Sequence, residues 1–116
     1  LSLLLVDPTT TLLENIVAVA LFRKYGNDSD NERVFFYNQN VEVDFYVPEE
    51  ELAIQVSYSI EKSDVTLNRE VDALQKLPKA LPCKRRLILT HDDRKTLHDA
   101  YGTIEVMPCW DWLINF

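Results

Sequence analysis

Glycine is nearly absent from this sequence, with two in 116 residues. That excludes a Gly-rich phosphate-cradling loop of the G-x-x-x-x-G-K-[ST] kind, whose backbone must approach the phosphates closely. Cysteine is equally scarce. Cys83 and Cys109 stand in no metal-ligand or redox spacing and cannot form a disulfide scaffold, so a reducing, cytoplasmic setting is the expected one. No apolar run approaches the roughly 20 residues of a membrane span, and no membrane partner is expected. The opening Leu1-Ser2-Leu3-Leu4-Leu5-Val6 has no basic flank and does not read as a signal peptide. Residues 1–8 read instead as a connection to further chain upstream. Basic charge is also in deficit: 12 Lys and Arg against 19 Asp and Glu leave a net charge of -7. Most non-specific nucleic-acid affinity comes from neutralising phosphates, so nucleic acid is not an expected partner of this stretch alone. The triplet Lys84-Arg85-Arg86 reads as a solvated entry to a strand.

What is present suits one α/β domain over residues 1–116, with 47% hydrophobic and 27% charged residues. Thr9-Thr10-Thr11 offers N-cap hydroxyls, and Glu14 follows Thr11 at capping-box spacing. Leu13, Ile16, Val17, Ala20 and Leu21 recur at helical period and end at Gly26, which suits a left-handed helix terminus. Val34–Tyr37 reads as a strand and Asn38-Gln39-Asn40 as a hairpin turn. From Val41 to Val47 the odd positions are apolar, as on one face of a strand. Leu52–Ile60 alternates in the same way after the turn at Pro48-Glu49-Glu50-Glu51. Leu67, Val71, Leu74 and Leu77 mark a helix over 64–77, ended by Pro78. Arg86–Thr90 is a short buried strand, and Ile104–Met107 is another. The polar stretch from His91 to Gly102 opens like a helix start, with acids after Thr90. Pro108 suits the first turn of a closing helix carrying Trp110, Leu113 and Ile114. Trp110 and Trp112 read as core or interface aromatics. The element order is αβββαββα, a mixed central sheet flanked by helices.

On that layout Asp44 and Gln55 fall on consecutive strands, and a packed first helix delivers Glu14 beside Asp44. Carboxylates converging on one sheet face supply the hard oxygen ligands that Mg²⁺ requires. The pair His91-Asp92-Asp93 and His98-Asp99 also holds ligand-type residues, but Thr90 followed by acids looks more like a helix start with charges suited to its dipole.

The ordered set Leu12-Leu13-Glu14-Asn15, Glu42-Val43-Asp44-Phe45, Ile54-Gln55-Val56-Ser57, Leu67-Asn68-Arg69-Glu70 and Val106–Leu113 resembles the DUF4143-type C-terminal region of prokaryotic AAA-like P-loop ATPases. That resemblance implies a PD-(D/E)XK nuclease-like fold and an upstream ATPase domain of the same chain as partner. It places Glu14 and Asp44 on metal-ligand positions. Where the family pattern has the Glu and Lys of "EVK", this sequence has Gln55 and Ser57. The implied catalytic positions are therefore Asp44, Gln55 and Ser57, and the implied metal positions Glu14, Asp44 and Gln55, with no cofactor or only weak Mg²⁺. Losing one such electrostatic contribution typically costs on the order of 10²–10³ in rate. The expectation is a non-catalytic accessory domain for protein or substrate engagement. The alternatives are an active nuclease using Lys62 or Arg69 as a displaced cation, and a packing domain for the ATPase half.

Overall fold

The computed structural model describes residues 8–26, 33–58 and 64–116. Among these residues, three α-helices enclose a six-stranded mixed sheet. In chain order they are α1 (Pro8–Tyr25), β1 (Phe35–Asn38), β2 (Glu42–Val47), β3 (Leu52–Val56), α2 (Asp64–Lys76), β4 (Arg85–Thr90), β5 (Lys95–Asp99), β6 (Gly102–Pro108) and α3 (Cys109–Ile114). The sheet order is β1-β2-β3-β4-β6-β5. β1, β2 and β3 form an antiparallel meander, β3, β4 and β6 run parallel, and β5 returns antiparallel along β6.

Two apolar clusters divide the sheet faces. One joins Val17, Leu21 and Tyr25 of α1 with Val47, Ile54, Val56, Leu87, Leu89 and Trp112. The other joins Ala73 and Leu74 of α2, and Leu77 beyond it, with Val43, Tyr46, Ala53, Ile88, Ile104 and Val106. β3 is buried along its whole length, as a central strand between two helical layers must be.

The expected order αβββαββα lacks one strand. The stretch after Thr90 does not start a helix. The Thr90 hydroxyl accepts from the Asp93 N–H at 2.9 Å and so closes a turn, and β5 follows as a hairpin partner of β6. A Ser or Thr hydroxyl caps turns and helices by the same bond, so the local sequence does not choose between them. The hairpin reverses through Ala100 and Tyr101. The Asp99 carboxylate accepts the Tyr101 N–H, and Gly102 takes φ +123, a region open to glycine.

Three further expectations need correction. α1 begins at Pro8, so Thr9–Thr11 lie inside its first turn rather than at its cap. The Thr10 hydroxyl instead accepts the Tyr58 N–H at 3.2 Å and ties α1 to the end of β3. The regular alternation over Val41–Val47 is broken, because β1 pairs Phe35 with Tyr46 but Tyr37 with Val43. The extra β2 residue is a bulge, which turns Val43 and Tyr46 toward α2 while Phe45 and Val47 face α1. Finally, Arg86 is not solvated: it is 2% exposed, shares the α2 face with Ile88 and pairs with Asp99. Gly26 does end α1 at φ +66, its N–H on the Phe22 carbonyl.

Candidate functional site

The bulge in β2 puts Asp44 at the point where β2 parts from β3. The ladder between these strands runs from Val47↔Leu52 to Phe45↔Ile54. Beyond it, side chains take over the pairing. The Gln55 carbonyl oxygen accepts the Asp44 N–H at 3.0 Å, and its amide nitrogen donates to the Glu42 carbonyl at 2.9 Å. Asp44 answers with one carboxylate oxygen, which accepts the Val56 N–H at 2.7 Å. Gln55 is 3% exposed, and its amide is a bridge between two strands.

The cleft above this fork, about 550 Å³, lies between the β1–β2 hairpin and α2 and is lined by Asp44, Gln55, Arg69 and Glu70 among others. Glu70 is the residue that reading the sequence missed as part of the site. Burial pushes its carboxyl up to about 8, with the charges of Asp44 and Glu14 adding to the rise and Arg69 opposing it. Burial also raises Glu14, again with Asp44 repelling, and raises Asp44 itself against the Val56 hydrogen bond. Three carboxyl groups from α1, β2 and α2 thus feel one another. The four-residue segment opening the second helix was visible as a pattern, but nothing local tells that Glu70 points at Asp44.

Glu14 and Asp44 are brought together electrostatically, and Asp44 and Gln55 by hydrogen bonds. Glu14 does not line the cleft. Ser57 is buried just past β3, its N–H on the Leu89 carbonyl. Lys62 lies outside the described residues. Asp99, His91 and Asp93 do not gather: Asp99 holds Arg86, His91 stacks on Tyr58 with ring centroids 4.8 Å apart, and Asp93 closes the Thr90 turn. Cys83 and Cys109 are both free, and burial raises the Cys83 thiol to about 11.

The donor chemistry fits a divalent cation poorly. Among the described residues no three His, Cys, Asp or Glu side chains draw together as an ion's ligands would. The Gln55 carbonyl oxygen already holds an N–H, and so does one oxygen of Asp44.

Over 113 residues, 90% of this chain, the sequence is 32% identical to the uncharacterized protein MJ1544 of Methanocaldococcus jannaschii. The match covers 25% of that protein, so the present chain spans about a quarter of its length. No family model matches the sequence. No solved structure matches it either. No described helix is long and apolar enough to cross a membrane.

Proposed function

We propose that this chain is a PD-(D/E)XK nuclease-like domain of a longer prokaryotic ATPase whose former metal site no longer catalyses, and that it serves protein or substrate engagement. The fold part is supported by the leading helix, the three-strand antiparallel meander, the helical crossover and the parallel fourth strand. The observation that carries the functional part is the state of Gln55. A nuclease needs a charged oxygen at that position to hold a metal and so generate hydroxide. Here the position holds a neutral amide whose oxygen and nitrogen are both committed to backbone groups. Two residues on, Ser57 is a buried hydroxyl and offers no charge to a scissile phosphate. The acidic chain also lacks a basic field to draw DNA in.

The test is cleavage of plasmid and single-stranded DNA in Mg²⁺ or Mn²⁺. The expected rate equals that of the Asp44→Ala variant, which is background. One observation favours a second reading, an active nuclease with a displaced cation: Arg69 lines the cleft beside Glu70, and its charge pulls Asp44 downward. Cleavage that is lost in both Asp44→Ala and Arg69→Ala, and kept in Asp92→Asn, selects that reading.

A further inference from the structure

α1 is apolar on more than the side that meets the sheet. Val17 and Leu21 are fully buried, with Leu13 and Ala20 packed against the same cluster. Leu12, Ile16 and Val19 remain 59%, 37% and 50% exposed. Together with Arg23 they are spaced by four, three and four residues, the interval at which one helix meets another along a seam. α3 widens the surface with Leu113 and Ile114, both exposed, and Leu113 joins Ile16, Val19 and Arg23 in lining an open groove of about 350 Å³. Contiguous exposed apolar surface of this kind marks a contact site.

Charge narrows what covers it. Arg23 closes the seam and has no ion-pair partner among the described residues. Lys24 beside it lies over the Phe116 ring at 4.3 Å. A second copy does not complement this end. Two α1 seams packed antiparallel about Ile16 and Val19 would set Arg23 against Leu12, an apolar side chain. An anionic bilayer is disfavoured by the net charge of -7. An acidic side chain on an incoming helix satisfies both the spacing and the charge.

We infer that the seam Leu12, Ile16, Val19 and Arg23, widened by Leu113, docks an amphipathic α-helix of another protein domain, with an apolar four-three stripe and an acidic residue level with Arg23. This rests on reading the domain as an engagement module, and it places that engagement on the sheet face away from the carboxylate cleft. The probes are two labelled synthetic helices of roughly 18 residues, long enough to hold helical structure. They share one leucine stripe and differ only in Glu or Lys at the position facing Arg23. Fluorescence anisotropy with the 116-residue chain is expected to show the Glu helix binding about fivefold tighter, the size of a rim ion pair. Arg23→Glu is expected to reverse that preference. Val19→Asp is expected to weaken both helices by more than about tenfold, with an unchanged circular dichroism spectrum. Equal binding of the two helices, or a preference that Arg23→Glu leaves unchanged, overturns the inference. So does a dimer in sedimentation that Val19→Asp dissolves, which makes a second copy the occupant, or vesicle adsorption that Val19→Asp abolishes. DNA cleavage by the same preparation would overturn the non-catalytic reading and leave the docking surface standing. Failed helix binding without cleavage does the reverse.

Discussion

Asp99→Ala is expected to lower the unfolding free energy by about 3 kcal/mol or more, the usual result of stranding a buried charge. The reason lies in what Arg86 does from the floor of the α2 layer. Its guanidinium is bidentate to Asp99 at 2.7 Å on both arms, and the same nitrogen that meets Asp99 Oδ2 also donates to the Leu74 carbonyl at 3.0 Å. One side chain therefore joins the last turns of α2, strand β4 and the β5–β6 hairpin. Removing the carboxylate leaves a cation with 2% exposure and no counter-charge. The double change Arg86→Met with Asp99→Leu removes both charges and is expected to recover most of the loss, since apolar replacement of a buried pair is often neutral or better. Urea denaturation of the three variants checks this. A single variant within about 0.5 kcal/mol of the parent would show that the pair contributes no more than a surface bridge. The pair also has a pH signature. The Arg86 hydrogen bonds hold the Asp99 carboxyl below its ordinary range. Its contribution is thus complete above that range and is lost only as pH falls through the depressed value.

Glu70→Gln is expected to act in the opposite pH direction. The folded chain keeps a proton on Glu70 up to about 8, while the unfolded chain releases it near the ordinary 4.5. Between those values the native state binds one more proton than the unfolded state, so stability falls as pH rises, by about 1.4 kcal/mol per pH unit for one proton. Glu14 and Asp44 are raised by burial as well and steepen the decline. Replacing Glu70 by a neutral amide removes its share. The variant is expected to be more stable than the parent above pH 8, with a flatter profile from pH 5 to pH 8. Midpoints of urea unfolding across that range measure it. Asp92→Asn, an exposed change of equal charge, controls for general repulsion. Parallel profiles for Glu70→Gln and Asp92→Asn would remove Glu70 from the cluster.

Arg86 and Asp99 stood in other roles in the sequence reading and Glu70 stood in none, for physical reasons. Helical apolar periods located α1 and α2, alternation located β2 and β3, and a short apolar run located β4, because burial leaves its mark on the order of apolar residues. β5 left none. It is an edge strand, and Lys95, Thr96 and His98 are exposed while only Leu97 among them packs against the core. Arg86 was hidden by its basic neighbours, although its position in phase with Ile88 was the available signal. The bulge at Asp44 is invisible to a two-residue period, since it shifts the faces in mid-strand. At the site, Glu14, Asp44 and Gln55 were picked out by the layout of the first helix and two consecutive strands, and again by the resemblance. Glu70 was not singled out, because its effect comes from charges on α1 and β2, far away in the chain.

Gln55 has a consequence for the history open to this chain. Its amide nitrogen serves the Glu42 carbonyl and its oxygen the Asp44 N–H, so the open end of the β2–β3 fork is closed by one side chain. Exchanging that amide for a carboxylate keeps the acceptor but deletes the donor. It also sets an oxygen against the Glu42 carbonyl and a fourth acid near Asp44, Glu14 and Glu70. A single codon change toward glutamate therefore meets a folding penalty before it can confer any chemistry. A second change that gives the Glu42 carbonyl another donor would ease the exchange, and without it the present amide state is easy to keep and hard to leave.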